Sequence, residues 1–167
     1  MLNHSLTKMK VDMEYCYHSP LGPLSISASS EALTALRFVQ QDFPRQDIDL
    51  SSATNNAIRR TIDWLDTYFA GNQPDDMPPL APRGTPFQLC VWHELLTIPY
   101  GQTVTYGQLA SRIGCGSARA VGQAVGHNPI AIIIPCHRVV ASTGLGGYAY
   151  GTNFKDKLLS LEFFGRI

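Results

Sequence analysis

The chain has 167 residues, 44% of them hydrophobic, and its 13 basic residues balance 13 acidic ones, so the formal net charge is zero. This length allows one domain or two small ones, with enough apolar residues for a core. No apolar run is long enough to cross a bilayer, and the N-terminal segment does not resemble a signal peptide.

The four cysteines are widely spaced and form no Cys-x-x-Cys pair, which excludes a disulfide framework and a zinc motif of standard spacing. Such a chain suits a reducing compartment, and we expect it in the cytoplasm. His4, Cys16 and His18 lie near one another in the sequence, but scattered residues of these types are more often incidental than metal ligands. We therefore expect no metal.

The neutral total conceals an uneven distribution of charge. Residues 1–82 carry six Lys and Arg against ten Asp and Glu, whereas residues 83–167 carry seven against three. The second half is therefore basic, which is compatible with a surface that faces phosphates but does not establish one.

The first half predicts a small sheet covered by a helix. Residues 14–28 predict two short strands around a turn at residues 19–23, and residues 32–39 predict a third strand. Residues 42–50 are polar and predict a loop. A helix is predicted to begin at Thr54, and its apolar face is expected to contain Ile58, Ile62, Leu65 and Phe69. No catalytic constellation is visible here, so we interpret this half as a scaffold.

Four prolines between residues 72 and 85 predict an extended, stiff connector. We place the domain boundary there, with an N-terminal domain over residues 1–82 and a C-terminal domain over residues 83–167. The predicted fold class is α/β, with a small sheet in the first domain and a mainly helical second domain.

Three capped helix starts follow the connector. Thr85, a proline at the first helical position and Gln88 predict a capping box, and the inner stripe of that helix is expected to contain Phe87, Val91, Trp92 and Leu95. Thr105 begins a second helix over residues 106–113 with the same box, and Ser117 begins a third over residues 118–126. A glycine-containing turn joins the last two, which predicts a helix-turn-helix.

The third helix consists almost entirely of small residues, with Arg119 as its one long cation. Glycine inside a helix costs about 1 kcal/mol relative to alanine, so its glycines need a compensation. Small residues permit close helix packing, or they allow a smooth helix to lie in a narrow groove of a duplex, where only Arg119 could enter the base stack. The residues alone leave both explanations open.

Residues 130–140 carry the clearest chemical signal. An apolar run over residues 130–134 predicts a buried strand, which Pro135 interrupts before Cys136, His137 and Arg138. A lone cysteine is more often a small buried hydrophobe than a reactive group. Here the adjoining imidazole and guanidinium favour the thiolate, the nucleophilic form, and we interpret Cys136 as a reactive cysteine.

The motif Pro-Cys-His-Arg-Val at residues 135–139 occurs together with Gly-His-Asn-Pro at 126–129 and Arg-Ala-Val-Gly at 119–122. Further matching segments lie at residues 20–24, 68–71 and 84–87. With this set of motifs the chain resembles the O6-alkylguanine-DNA alkyltransferase family, in its constitutive bacterial form, over essentially its whole length. The resemblance implies a ribonuclease-H-like first domain and a DNA-repair activity that needs no cofactor. It implies a monomer that flips O6-alkylguanine, and also O4-alkylthymine, out of double-stranded DNA and transfers the alkyl group irreversibly to its own Cys136, one turnover per molecule.

The resemblance also assigns roles to catalytic residues. Glu162, on a helix predicted from about residue 153, would hold His137, which would take the proton of Cys136 through a water. Tyr106 would donate to ring N3 of the flipped guanine, and Tyr148 would address O6 together with the amide of Ala149. Without the resemblance these residues would be an ordinary helix carboxylate and two half-buried tyrosines.

Other residues are assigned to DNA, to a hinge and to the pocket. Asn128 matches a hinge that ties the helix-turn-helix to the active-site loop, and Arg119 matches the residue that fills the place of the flipped base. The remaining DNA-binding residues implied are Ser117, Ala118, Ala120, Gly122 and Arg138. The substrate pocket implied comprises Pro135, Val139, Ala149, Tyr150 and Lys155. Tyr150 stands where the family pattern has a glycine, so its ring could narrow the tolerance for large alkyl groups or point outward.

Two other classes share part of this pattern. A cysteine hydrolase also needs a cysteine, a histidine and a carboxylate, but it requires an oxyanion hole that nothing in the helix-turn-helix half supplies. A DNA-binding regulator would account for the helices but not for the thiol. Cys136 also argues against the alkyltransferase-like proteins that bind lesions without repairing them.

Overall fold

The structure is a computed structural model that describes residues 13–41 and 49–167. In the first half a three-stranded antiparallel sheet packs against one long helix, and in the second half helices surround a short parallel pair of strands. The elements are β1 (Met13–Ser19), β2 (Gly22–Ala28), β3 (Leu33–Phe38), α1 (Asn56–Phe69), α2 (Pro86–Leu95), β4 (Val104–Thr105), α3 (Tyr106–Arg112), α4 (Ala118–Gly126), β5 (Val139–Val140) and α5 (Thr152–Phe164). The predicted α/β class is confirmed.

The residues weighed as metal ligands and the predicted loop fall partly outside the part of the chain that the structure describes. His4 and most of the loop predicted over residues 42–50 lie outside the described ranges. Among the described residues, no group of three or more His, Cys, Asp or Glu side chains is placed to hold a metal. In the same part of the chain, no helix has the length and apolar character needed to cross a membrane.

The three predicted strands are confirmed, and turn chemistry explains their register. A two-residue turn joins β1 to β2, with Ser19 opposite Gly22. Gly22 has a φ of 121°, which side-chain-bearing residues rarely adopt. The Ser19 hydroxyl donates to the Gly22 carbonyl at 2.6 Å and accepts from the amide of Leu21 at 3.2 Å. The turn therefore closes through local hydrogen bonds.

The buried face of α1 is rotated from the predicted one. The helix begins at Asn56, two residues later than predicted. On its predicted apolar face, Ile62 and Phe69 are only half-buried. Trp64 and Tyr68 are buried instead. This rotation places aromatic rings against the second half of the chain.

The proline-rich connector is extended, as predicted, but it is attached to the sheet. Leu80 forms a parallel bridge with Leu33 at the start of β3, through two backbone hydrogen bonds of 2.8 Å. Further along β3, Leu36 forms a parallel bridge with Ile130. β3 is therefore hydrogen-bonded both to the connector and to the segment that precedes Cys136.

The predicted helix starts of the second half are confirmed. Thr85 and Thr105 each accept from the amide of the glutamine three residues later, and each glutamine side chain accepts in return. The Ser117 hydroxyl accepts from the amide of Ala120 at 3.1 Å and caps α4. Phe87, however, is 39% exposed, so its placement in the inner stripe of α2 is wrong. The helix packs through its later turns, where Val91, Trp92 and Leu95 are buried.

The strand predicted over residues 130–134 is wrong, although the predicted burial is correct. Ile130 forms a single β-bridge, and residues 131–134 form tight turns. Ile132 has a φ of 69°, which is rare for a β-branched residue and costs about 1–3 kcal/mol. Asn128 compensates, because its side chain accepts from the Ile130 amide at 2.9 Å and donates to the Ile134 carbonyl at 2.7 Å. These bonds turn the chain sharply before Cys136.

Candidate active site

Cys136 lines a cavity of about 210 Å³ between the helix-turn-helix and the loop before α5. The cavity wall comprises Tyr106, Gly122, Val125, Gly126, Asn128, Cys136, Gly147, Tyr148, Ala149 and Tyr150. The structure therefore brings together the predicted cysteine, both predicted tyrosines, the predicted hinge asparagine and two of the predicted pocket residues.

Parallel pairing of β4 with β5 brings Tyr106 to Cys136. A short 3₁₀ turn (Cys136–Arg138) leads directly into β5, and β4 leads directly into Tyr106. Val104 lies opposite Val139 in this pair. Two segments that are distant in the sequence thus meet at the cavity wall.

Glu162 of α5 is the centre of a buried hydrogen-bond network. Its Oε1 lies 2.6 Å from Nε2 of His137. Arg138 donates from Nε to Oε2 at 2.9 Å and from Nη2 to Oε1 at 3.1 Å, and its Nη1 donates to the Ile98 carbonyl. The amide of Gly101 donates to Oε2 at 3.1 Å. Both carboxylate oxygens are therefore satisfied away from water.

This network determines the charge state of the pair. Burial would raise the pKa of Glu162, but hydrogen bonds from His137 and Arg138 and their charges outweigh it and lower the pKa to about 2. Burial lowers the pKa of His137, and the attraction of Glu162 offsets this only partly. At neutral pH the pair is therefore a carboxylate and a neutral imidazole. Because the carboxylate can only accept, Nε2 carries the ring proton and Nδ1 keeps the lone pair.

Burial also raises the pKa of the Cys136 thiol, although neighbouring hydrogen bonds and the charge of Lys155 act in the opposite direction. The thiol is therefore the resting form, and the expectation that two adjoining cations favour the thiolate is wrong. His137 is neutral, and Arg138 directs its charge to Glu162. Nucleophilic chemistry at this sulfur thus requires a base.

Two buried side chains, Lys155 and Tyr148, act on the sulfur. Lys155 is fully buried, and its ammonium donates to the carbonyl oxygens of Val139 and Gly147. Burial lowers the pKa of Lys155 to about 8. The Tyr148 hydroxyl is buried beside Cys136, and no atom of the described residues lies in hydrogen-bonding geometry to it. Burial and the neighbouring sulfur raise the pKa of Tyr148, so its phenol remains protonated.

The ring of Tyr150 lies at the cavity and does not point away from it. It packs edge-to-face on Tyr148, with ring centroids 5.6 Å apart, and on Phe38 of β3 at 5.2 Å. Tyr150 also lines an adjoining groove together with Phe38 and Phe154. The ring therefore separates the cavity from this groove.

α4 runs along the cavity with its outer side in solvent. Ser117, Ala118 and Arg119 are exposed, and Ala120 is half-buried. Gly122 belongs to the cavity wall, where an added Cβ would lie 3.6 Å from the Tyr106 ring. No atom lies within 4 Å of such a Cβ at the end of the helix, at Gly126. Close helix packing therefore does not explain why residue 126 is a glycine.

Four of the residues assigned to the DNA or pocket surface lie elsewhere. Arg138 is only 8% exposed and uses its guanidinium inside the protein, so its assignment to DNA binding is wrong. Pro135, Val139 and Lys155 are buried and do not line the cavity. For Arg138, Pro135 and Val139 the tight turn is the physical reason, because it directs Cys136 into the cavity and its neighbours into the core. The Lys155 ammonium is held instead by the carbonyl oxygens of Val139 and Gly147.

Sequence reasoning missed Tyr68, which lies in the half interpreted as a scaffold. Its hydroxyl donates to Oε1 of Glu162 at 2.8 Å. A tyrosine on the buried face of a helix indicates that a hydrogen-bond partner exists, but it does not indicate which one.

Comparisons with known proteins agree over both halves. Residues 13–79 match the family model for the ribonuclease-like domain of 6-O-methylguanine DNA methyltransferase, and residues 86–163 match the model for its DNA binding domain. A methylated-DNA--protein-cysteine methyltransferase from Mycobacterium tuberculosis (strain ATCC 25618 / H37Rv) is 47% identical over 146 residues, which cover 86% of this chain and 88% of the relative. A protein of the same name from Methanosarcina acetivorans is 43% identical over 148 residues, or 87% of this chain and 95% of the relative.

Solved structures give the same result. The crystal structure of Mycobacterium tuberculosis OGT in complex with DNA superposes with a TM-score of 0.79 at 44% identity, over 92% of this chain and 94% of that chain. The Mycobacterium tuberculosis O6-methylguanine methyltransferase also superposes with a TM-score of 0.79, over 94% and 95% of the two chains. The chain therefore belongs to the 6-O-methylguanine DNA methyltransferase family.

Proposed function

We propose that this chain repairs O6-alkylguanine in double-stranded DNA by transferring the alkyl group to its own Cys136. The transfer is irreversible, so each molecule acts once, and no cofactor takes part. The main support is the neutral imidazole of His137, held by the ionised Glu162, directly after a thiol that lines a cavity beside the helix-turn-helix. O4-alkylthymine is a further substrate in this proposal.

The relay (Cys136, His137 and Glu162) supplies the nucleophile. Nδ1 of His137 removes the thiol proton through a bridging water, and Glu162 stabilises the imidazolium that forms. The thiolate then attacks the alkyl carbon, an S–C bond forms, and the C–O6 bond breaks with its electron pair passing to the guanine. The proton taken from the thiol passes to the guanine ring. The products are an S-alkylcysteine and an intact guanine.

Three donors at the cavity wall act on the leaving base. Tyr106 donates toward ring N3, and Tyr148 acts at O6 together with the amide of Ala149. Because burial raises the pKa of both phenols, they remain protonated and can stabilise the negative charge that develops on the base.

A base inside a duplex cannot reach this cavity, so the nucleotide must be flipped out at a cost of a few kcal/mol. The exposed side of α4 lies in the minor groove, where its small residues permit close approach and Arg119 fills the vacated place in the stack. Asn128 couples α4 to the turn that carries Cys136. Binding of this kind weakens with salt and depends little on base sequence.

The proposal includes an organisation and a location for the protein. The chain acts as a monomer, divided near residue 82 into a ribonuclease-H-like domain and a DNA-binding, alkyl-accepting domain. It works in the cytoplasm, where a reducing environment keeps its four cysteines as thiols.

The first experiment is an intact-mass measurement after incubation with a duplex that carries one O6-methylguanine. We expect a gain of a single methyl group that saturates at one per chain. Cys136→Ala should gain none. Cys90→Ala is the matched control, because Cys90 is an exposed thiol away from the cavity, and it should gain one methyl like the unchanged protein.

Other outcomes would reject the proposal. Tight binding to the lesion without a mass gain would indicate a damage sensor. Neither mass gain nor preference for the lesion would leave a cysteine hydrolase as the better hypothesis, and methyl transfer that persists in Cys136→Ala would assign the chemistry to another residue.

A further inference from the structure

Tyr68 of α1 reaches from the first half of the chain into the relay. It is fully buried, and its hydroxyl donates at 2.8 Å to Oε1 of Glu162, the same oxygen that accepts from His137. The phenol oxygen also lies 3.4 Å from Nε2 of His137. A side chain of the N-terminal half thus contacts both Glu162 and His137.

A glycine permits this contact. Tyr68 lies in the last turn of α1 and Glu162 in the last turn of α5, and Gly71 and Gly165 follow them by three residues. A Cβ on Gly71 would lie 2.5 Å from the carbonyl oxygen of Gly165, and Gly71 has a φ of 81°. Because Gly71 lacks a side chain, the two helix ends can approach closely enough for the hydroxyl to reach the carboxylate.

The ring of Tyr68 is held by its neighbours. It stacks on Trp64 with centroids 5.2 Å apart and planes at 11°, and it packs edge-to-face on Tyr100 at 6.1 Å. Rotation of the ring away from Glu162 would break these contacts. The hydroxyl is therefore oriented before any substrate binds.

We propose that Tyr68 is a positioning residue of the relay, which holds Glu162 as a carboxylate and limits how strongly its Oε1 attracts the Nε2 proton of His137. Oε1 divides its hydrogen-bonding capacity among three donors, His137, Tyr68 and Arg138, so each bond is weaker than it would be alone. The imidazolium is then stabilised less, and His137 remains neutral and able to accept a proton at Nδ1. The other titratable groups that act on the pair are Arg138 and Lys155, and Tyr100 and Tyr148 lie close enough to feel the charge of Glu162. This inference rests on the proposed alkyl transfer and gives the first half a part in it.

Tyr68→Phe tests the proposal because it removes one oxygen atom and keeps the ring. Arg138 and the Gly101 amide still hold Glu162 in the variant, so we expect it to fold. The single-turnover rate constant of methyl transfer is measured against pH. Without the phenol, Oε1 becomes more basic and the pKa of His137 rises. We expect the acidic limb of the profile to shift by about one unit toward higher pH. At a given pH on that limb, the rate constant is then about tenfold lower.

Tyr17→Phe is the matched control. The Tyr17 hydroxyl also donates to a carboxylate of α1, Asp66, at 2.7 Å, but it lies away from the relay. Its pH profile should equal that of the unchanged protein. An unshifted acidic limb in Tyr68→Phe would overturn the proposal. A uniform loss of rate at every pH would also overturn it, because looser packing alone produces such a loss.

Nuclear magnetic resonance separates this inference from the proposed function. A titration of the His137 ring nitrogens should show a pKa about one unit higher in Tyr68→Phe, whether or not the protein accepts a methyl group. Failure of methyl transfer in the unchanged protein rejects the proposed function, whereas an unchanged His137 titration rejects only the role of Tyr68. If Tyr68→Phe does not fold, the unchanged protein should show a slowly exchanging Tyr68 hydroxyl proton close to the Nε2 proton of His137. The absence of that proximity would overturn the inference.

Discussion

Replacing Glu162 with glutamine should destabilise the protein in a manner that depends on pH. The pKa of this carboxyl is about 2 in the folded protein, against an ordinary value of 4.5. At about 1.4 kcal/mol for each pKa unit, the difference stabilises the folded state by roughly 3 kcal/mol at pH 7. Because the folded-state pKa is the lower one, this stabilisation is fully present above pH 4.5 and is lost as the pH falls toward 2.

Urea denaturation at pH 7 and at pH 3 measures the effect. Glu162→Gln should lower the free energy of unfolding by about 3 kcal/mol at pH 7 and by only about 1 kcal/mol at pH 3, where the native carboxylate has lost most of its advantage. The unpaired charge of Arg138 can increase the loss at pH 7, since a buried ion without its partner is costly.

Glu94→Gln is the control for this experiment. Glu94 contacts Arg112 at 3.7 Å near the surface, where an ion pair contributes about 1 kcal/mol or less. Two results would refute the electrostatic reasoning. One is a decrease in the free energy of unfolding below about 1 kcal/mol for Glu162→Gln at pH 7. The other is a difference in the free energy of unfolding between variant and native protein that does not narrow at pH 3.

Three further outcomes are expected. The rate constant of alkyl transfer should stay level between pH 8 and pH 6.5 and fall only at lower pH, because the pKa of His137 is below 6.5 and a base must be neutral. Single-turnover measurements in which the decline begins near pH 7.5 would contradict this. Tyr150→Ala should open the cavity to the adjoining groove and raise the rate ratio of O6-benzylguanine to O6-methylguanine about tenfold or more, and an unchanged ratio would show that the ring does not limit alkyl size. Arg119→Ala should slow repair of duplex DNA about tenfold while leaving repair of the free base intact, since the exposed side chain acts only in flipping; an equal loss on both substrates would assign it another role.

Some features were predictable because they depend on residues within one turn of each other. The caps at Thr85, Thr105 and Ser117 are local hydrogen bonds, and all three helices begin where the sequence places them. The turn after β1 is likewise determined by Ser19 and Gly22. Within such short distances the backbone has few alternatives, so residue type is sufficient.

The segment before Cys136 shows where local patterns fail. An apolar run over residues 130–134 is equally compatible with a strand and with buried turns, because periodicity reports burial and not backbone geometry. Hydrogen bonds from Asn128 and the bridge of Ile130 to β3 decide for turns. The Asn128 bonds are local but leave no trace in the apolar pattern, whereas the bridge depends on where β3 lies.

The sequence by itself determined the α/β class and the helix starts, and it predicted Cys136 and His137 as the candidate site residues, since these follow from composition, capping chemistry and motifs. The tertiary structure decided the charge states and which side chains bond to Glu162 in the buried network. Burial keeps Cys136 a thiol despite its basic neighbours, and Arg138 turns inward to Glu162. Tyr68 reaches the same carboxylate from 94 residues away. No local pattern reports a contact over such a separation, because it exists only once both halves have folded against each other.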